Sequence, residues 1–323
     1  MKLSVIIPIY RGGAEWVDCW QAIVANSHLF EKIFLSFNYS DMQTDDLRII
    51  GDVQPANVHV LVHQTKMTAT EHSRKIYRWV LSQLPEGFIL FLCHDDIIEP
   101  DALAEILVRE LKTDEAIFGP FRFTTPDNSR RTVIACEFTD SLTGDHRVFA
   151  NRLLEKTAVA FTASGLIIHS TVFARLVTTH ERMQYGCNAE IFWLCNPLIR
   201  KIWQGRRPLV VINVRAESEG AILARHRGLF GAAAHSDALL TLTLAFAGYR
   251  DAPWIRLGLA RQIAAKSILH PWRSLRYGPA HMAALYREDL LTFTDLVTLP
   301  LFCLAAVALA AIVRIRNFFD RRR

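Results

Sequence analysis

Residues 88–101 read FILFLCHDDIIEPD, and the rest of the chain is best read outward from this stretch. Phe88 to Leu92 is an unbroken apolar run, the pattern of a strand buried on both faces of a parallel sheet, where no face is left for alternating polar residues. The run breaks off into two adjacent carboxylates, Asp95 and Asp96. A helix is expected from Asp101 to Leu111, with Pro100 at its first position, where the missing N–H costs nothing.

A buried strand followed by a helix is half of a βαβ unit, and further halves lie on both sides. Leu3 to Tyr10 (LSVIIPIY), Lys32 to Phe37, Val58 to His63 and Ala116 to Phe123 are each short and apolar. They are separated by stretches long enough for a crossover. Among these, Thr70 to Leu84 puts Ile76, Trp79, Val80 and Leu84 on one helical face. Up to about residue 123 the pattern is a doubly wound α/β sheet. Residues 124–148 are polar and aperiodic, as in a long loop or hairpin near a site. A strand from Leu166 to His169, helices over Val172 to Thr179 and Ala189 to Ile202, and a strand from Pro208 to Val214 then complete a mixed α/β domain. Its expected span is 1–225. Residues 226–288 read as a helical extension, and 289–323 as an apolar helix with a basic tail.

Ligands of open α/β sheets bind outside the carboxyl ends of the strands, which is where Asp95 and Asp96 fall. Two carboxylates there repel one another unless a cation or a hydrogen-bond network compensates, and Mg²⁺ or Mn²⁺ is the natural partner. A bare Asp pair after a strand also serves as a helix N-cap. Both readings stand at this level.

Composition removes several classes. The chain has 323 residues, 51% hydrophobic, with a net charge of +5. The last ten residues, RIRNFFDRRR, hold five Arg and one Asp, so 5 − 1 = 4 of that charge belongs to the tail and the other 313 residues carry +1. A nucleic-acid binder spreads basic charge over its folded face, so no nucleic acid is expected as partner. Cysteines stand at 19, 93, 136, 187, 195 and 303 without a CxxC pair and read as reduced thiols. The apolar N-terminus lacks a small-residue cleavage site and reads as a core strand in a cytoplasmic domain. Leu296 to Val313 is 18 residues without a charge, followed by Arg314 and Arg316, at the lower limit for a bilayer crossing. A crossing that kept the Arg tail inside would export the large N-terminal domain. A helix lying in or dipping into the inner leaflet, peripheral or monotopic, with Arg on anionic headgroups, removes that conflict. The alternative is a buried or oligomer-forming helix.

LSVIIPIY at the N-terminus together with FLCHDDIIEPDAL some 85 residues later resembles the family 2 glycosyltransferases of the GT-A fold, of the bacterial surface-polysaccharide type. The resemblance covers residues 1 to about 220. It implies a GT-A-like doubly wound mixed sheet and a glycosyltransferase that moves a sugar from a nucleotide-diphosphate donor to a hydroxyl acceptor, with inversion. Pro8, Tyr10 and Arg11 match the family's first strand end, and Asp95 with Asp96 match its acidic motif. Asn38, Ser40, Asp41 and Arg74 are further donor-binding candidates. Asp95 and Asp96 would hold a divalent cation, Mn²⁺ or Mg²⁺, and Glu190, the one carboxylate of GCNAEIFW at 186–193, is the candidate general base. A lipid-linked saccharide acceptor at the cytoplasmic side of the inner membrane follows by analogy and from the C-terminal segment.

The chain departs from the family at three places. Cys93 stands where the acidic motif usually begins, Phe37 where an Asp usually reads the base or ribose, and Cys187 with Asn188 where an acidic pair is usual. Arg78, and the cluster Arg215, Arg225, His226 and Arg227, are weaker candidates for the diphosphate. Trp193, Trp203, Trp254 and Trp272 read as core or interface residues. Two rival functions follow: a nucleotidyl- or phosphotransferase using the same sheet and metal logic, and a catalytically degenerate nucleotide-sugar-binding or scaffold protein.

Overall fold

The computed structural model describes residues 1–51, 54–83, 86–124, 130–133, 143–144, 146, 164–183, 193–194, 196–213, 233–269, 271–287 and 289–320. Strands β1 (Leu3–Ile9), β2 (Ile33–Phe37), β3 (Val58–Val62) and β4 (Phe88–Phe91) alternate with helices α1 (Gly13–Ala25), α2 (Gln43–Ile50) and α3 (Ala69–Ser82). The short strand β5 (Ile97–Ile98) and helix α4 (Pro100–Leu107) follow the acidic pair. Beyond them come β6 (Glu115–Phe118), β7 (Phe121–Thr124), β8 (Arg130–Val133), β9 (Thr143–Gly144), β10 (Leu166–His169), helix α5 (Ser170–Met183), β11 (Lys201–Trp203) and β12 (Val210–Asn213).

The main sheet runs β3-β2-β1-β4-β10-β6-β11-β9. Strands β1 to β4 are mutually parallel, β10 runs against both β4 and β6, and β11 is parallel to β6. The expected doubly wound mixed sheet is therefore present. Its strands are apolar on both faces, β1 and β4 almost wholly buried, because helices cover both sides. The crossovers from β1 to β3 build toward one edge, with α1 packed on α2; α3 carries the chain back past β1 to β4 and packs on α5. With right-handed crossovers these two helix pairs occupy opposite faces. The order reverses between β1 and β4, which opens a crevice at their carboxyl ends.

Two expectations are corrected. Ala116 to Phe123 is not one strand: it breaks at Gly119–Pro120, Gly119 having φ +67°, and β7 leaves the main sheet for a second sheet of order β5-β12-β7-β8. Pro120 has no N–H to give a ladder, and Gly119 adopts a backbone that other residues avoid. The helix expected over Ala189 to Ile202 does not reach its expected end: residues 196–200 are not helical and Lys201–Trp203 pairs with Glu115–Ile117 as β11. Sheet pairing overrides local propensity there.

The C-terminal helices are α6 (Ala233–Gly248), α7 (Pro253–Leu269), α8 (Pro271–Arg287) and α9 (Phe293–Asp320). Helix α7 packs against α6, α8 and α9. The apolar core is continuous from the sheet into this region, through Phe246, Tyr249, Ile255, Leu259 and Leu299. At the root of α9, Asp295 is 1% exposed and accepts from Arg250 at 2.6 Å, from the Thr292 amide at 2.9 Å and from Arg256 at 3.5 Å. Arg256 is itself buried, its guanidinium 3.9 Å from the Phe246 ring centroid and 4.9 Å from that of Phe302.

Candidate functional site

The crevice between β1 and β4 is built from the two strand ends that the sequence marks. Leu92 continues the pairing of β4 with β1 by donating to Ile6 at 3.1 Å. His94 then reaches back to the Pro8 carbonyl through Nδ1 at 3.1 Å. These contacts hold the segment carrying the acidic pair beside Pro8, Tyr10 and Arg11.

Arg11 has φ +52°, a conformation that costs a non-glycine residue free energy and needs surrounding contacts to persist. The contact is a two-pronged ion pair, Nε to Asp41 Oδ1 at 3.0 Å and Nη2 to Oδ2 at 2.7 Å. Asp41 lowers its own pKa by accepting from Arg11, against the opposing effect of desolvation. Both side chains are more than half exposed, so the pair shapes the rim and adds little stability.

Asn38 lies deeper. It is 4% exposed and exchanges two hydrogen bonds with the Met67 backbone, Nδ2 to O at 2.9 Å and Oδ1 from N at 3.1 Å, while its own amide donates to Ile9 at 2.9 Å. Its amide group is consumed in joining β2 to the loop before α3. Ser40 and Arg74 show the reverse: Ser40 Oγ and Arg74 Nε are enclosed without a hydrogen-bond partner, an arrangement proteins otherwise avoid. Phe37 is 1% exposed and packs edge-on against Trp16 at 6.0 Å, so it fills core where the resembled family carries an acid.

The two aspartates differ sharply. Asp96 is 3% exposed; one carboxylate oxygen accepts from Ser164 Oγ and the other from the Asn213 amide at 3.3 Å. Ser164 also accepts from the Cys93 amide at 2.8 Å, and the Asn213 side chain donates to the Asp95 carbonyl at 2.7 Å. The turn from Cys93 to Asp96 is thereby pinned to Ser164, two residues before β10, and to the end of β12. Asp95, half-buried, accepts no hydrogen bond on its carboxylate among the described residues. One ligand atom each from Cys93, Asp95 and Asp96 lie within 4.8 Å of one another. A hard cation that keeps its waters takes few protein oxygens, and this donor set offers one uncommitted carboxylate with a sulfur beside it. Those residues fit a divalent ion on Asp95, with Asp96 fixing the turn more than supplying a second open ligand.

Several residues that shape the crevice were not singled out from sequence. Asp46, 2% exposed, accepts from both Gly12 and Gly13 amides at 3.1 Å, and its carbonyl accepts from Trp16 Nε1 at 3.0 Å. A side chain at Gly12 would bring its Cβ within 2.6 Å of Trp16 Cβ. Beneath the rim, Ser36 Oγ bridges His63 Nε2 at 3.1 Å and His72 Nε2 at 3.0 Å, all three buried. Burial first, then the neighbouring His63 and His94, pull the His72 pKa down to about 3. No periodic signal marks these groups, whose partners lie about 30 residues away.

Glu190, Cys187, Asn188, Arg215, Arg225, His226 and Arg227 lie outside the described residues. Arg78 is exposed. Trp193 is 6% exposed, as core. Trp203 is half-buried, with Lys201 Nζ 3.7 Å from its ring centroid. Trp254 and Trp272 are 81% and 84% exposed, which removes the core reading for both. A recess of ≈ 620 Å³ lined by Lys2, Glu86, Phe88, Arg109 and His169 lies at the other end of β1 and β4 and contains none of the crevice residues.

No protein-family model matches the chain, and no curated protein matches it. Among solved structures it is similar to S. aureus TarS, with a TM-score of 0.49 and 12% identity over 89% of this chain and 54% of that one. It is also similar to TarS 1–349, with a TM-score of 0.47 and 12% identity over 90% and 92%. For TarS 1–349 in complex with UDP the TM-score is 0.46 and the identity 14%, again over 90% and 92%. The chain spans about half the length of the first of these.

Proposed function

We propose that the protein is a GT-A-like glycosyltransferase that takes a nucleotide-diphosphate sugar in the β1–β4 crevice and passes the sugar to a hydroxyl acceptor. The observation that carries this reading is the division of labour in the acidic pair. Asp96 is satisfied inside the fold, while Asp95 presents a carboxylate that no described residue engages at the topological switch point, where ligands of such sheets bind. Asp95 would hold Mn²⁺ or Mg²⁺, and the chemistry that a bound cation supplies at such a place is neutralisation of negative charge on a diphosphate leaving group. Ser40 Oγ, next to Asp41 in the loop after β2 and enclosed without a hydrogen-bond partner, supports a polar ligand near the Arg11–Asp41 pair, and Arg74 on α3, whose Nε is likewise enclosed without one, is kept as a donor-binding candidate. Pro8, Tyr10, Arg11 and Asp41 would frame the nucleotide. Asn38 contributes by holding the loop at Met67. Glu190 is our candidate base for the acceptor hydroxyl, with inversion at the sugar carbon as the expected outcome.

Helix α9 supports a place at the membrane. It is long and apolar enough to cross a bilayer by length and composition, and only 11% of its most apolar 18-residue window is buried in the protein. With Arg314 and Arg316 exposed beyond that stretch, we read it as an inner-leaflet anchor on the cytoplasmic side and the acceptor as a lipid-linked saccharide of a surface polysaccharide. A second reading, a nucleotide-sugar-binding protein without turnover, is favoured by Phe37, which leaves no acid at the end of β2.

Calorimetry with a panel of UDP-, GDP- and dTDP-sugars, in Mn²⁺ and in chelator, tests the donor site. One donor is expected to bind in a metal-dependent way, and Asp95→Asn to weaken that binding by on the order of 100-fold. Absence of binding by every nucleotide in the wild type would sink the proposal. Release of a nucleoside diphosphate in the presence of acceptor separates transfer from binding alone, and release of pyrophosphate would point to a nucleotidyltransferase.

A further inference from the structure

Helix α8 has an apolar stripe that faces away from the protein. Trp272 is 84% exposed, Leu275 71% and Tyr286 47%, and Pro279 and Ala283 between them are exposed as well. At 3.6 residues per turn these five positions fall within an arc of roughly 80°. Leu285, fully buried, and Met282, packed on the core, lie on the side that faces α6. Single exposed apolar residues are ordinary, but a contiguous stripe that includes tryptophan marks a surface that is meant to be covered.

The charge beside the stripe says what covers it. Arg276 and Arg287 are exposed along one border, and Lys266 is exposed on α7. From Ala252 to Arg287 the sequence holds six Lys and Arg and no Asp or Glu, a local excess that the near-neutral total of the folded region conceals. Of the six, Arg256 is turned inward to Asp295. Tryptophan and leucine on one arc with arginine at its edge is the composition of a helix lying in the boundary between acyl chains and anionic headgroups. Helix α7 packs against both α8 and α9, so the stripe belongs to the same group of helices as the segment already read as membrane-associated.

We propose that α8 is a second membrane contact, laid on an anionic bilayer through Trp272, Leu275 and Tyr286, so that the chain is held by two helices. The proposal rests on the reading of α9 as an anchor, and the experiment separates the two. The full chain is prepared as Leu275→Cys, Leu309→Cys and Val108→Cys, each labelled with an environment-sensitive fluorophore, the labelled wild type giving the background of native thiols. Val108 is 82% exposed at the end of α4 and serves as the water-facing control.

With vesicles of mixed phosphatidylcholine and phosphatidylglycerol, the probes at 275 and 309 are expected to shift to shorter wavelength while the probe at 108 does not. The shift at 275 should shrink on pure phosphatidylcholine, where no headgroup charge meets Arg276 and Arg287. A shift at 309 with none at 275 overturns the α8 contact and leaves the anchor standing, and silence at both positions overturns both. An equal shift at 275 on pure phosphatidylcholine overturns the anionic recognition. A shift without vesicles that grows with protein concentration overturns the proposal in favour of a second copy of the chain. No arm uses a nucleotide, so the result is independent of the transferase reading.

Discussion

The strand ends of β1, β2 and β4 and the helices α8 and α9 treat exposed surface in opposite ways. At the strand ends most polar groups are turned inward and matched: Asp46 to two glycine amides, Asn38 to the Met67 backbone, Asp96 to Ser164 and Asn213. The Asp95 carboxylate and Ser40 Oγ are left without a hydrogen-bond partner among the described residues. In the C-terminal helices the polar groups that matter are sunk at the root of α9, and the apolar ones are turned outward. On the proposed reading, one region receives a small polar ligand and the other is covered by an extended apolar medium. Exposed polar groups alone do not locate a site; what counts is which groups the fold leaves unmatched.

The largest effect expected from breaking this contrast is at Asp295. Asp295→Ala leaves Arg256 buried without its counter-charge, a loss of about 3–5 kcal/mol when one partner of a buried pair is removed. The expected result is release of α9 from α7, seen as protease cleavage between 287 and 296 at enzyme levels that leave the wild type intact. Unchanged cleavage would mean that the apolar contacts of Leu299 and Phe302 hold the helix alone.

A smaller loss is expected on the other side of the comparison. Asp46→Ala strands the buried Gly12 amide, at a cost of about 1–3 kcal/mol, and leaves the partly buried Gly13 amide to water, and should lower the unfolding midpoint in urea without altering the slope. Donor binding should weaken with it, since the loop that carries Arg11 loses its tether; a lowered midpoint with intact binding would separate the tether from the rim.

The histidine pair sets a pH dependence. His72 titrates at about 3 in the folded protein against about 6.5 unfolded, so between those values the unfolded chain binds the extra proton. Its stabilising contribution is complete above pH 6.5 and is lost as the pH falls toward 3, at up to about 1.4 kcal/mol per pH unit for that proton. His63 is shifted in the same direction by burial and adds to it. Urea unfolding at pH 7 and pH 5 should show the decline, and His72→Gln should flatten it.

The smallest effect on stability is expected at the rim. Asp41→Asn removes a salt bridge that is open to water, so the melting temperature should not move, while Arg11, held at φ +52° by that pair, should lose its orientation and donor affinity should fall. A drop in melting temperature with unaltered binding would reverse the roles assigned to the two sides of the molecule.

Much of this was legible in the chain, and the exceptions have physical causes. Strands β1, β4 and β10 were readable because each is buried on both faces and so is written as an uninterrupted apolar run. Asp95 was readable because it stands at the end of such a run. The strand expected over Ala116 to Phe123 also looked uninterrupted in hydropathy, and only the Gly119–Pro120 dipeptide inside it, a break in any ladder, signals that β6 and β7 belong to different sheets. Lys201 to Trp203 carries no strand signal strong enough to oppose a helical neighbourhood; its conformation comes from the free edge of β6. The unequal duties of Asp95 and Asp96 could not be seen, because what distinguishes adjacent carboxylates is Ser164 and Asn213, 68 and 117 residues from Asp96. Trp272 reads as core or interface in a list of tryptophans, and only the helix whose other side is filled by Leu285 places it at the surface.

The amides of Gly12 and Gly13 sit at the start of α1, the place where phosphate-binding folds seat an anion against the helix dipole. Here a resident anion, the Asp46 carboxylate, already occupies that seat from within the chain. A diphosphate arriving at this crevice would therefore find these two amides already taken, which gives side-chain cations, or an ion that it brings with it, the larger share of its charge.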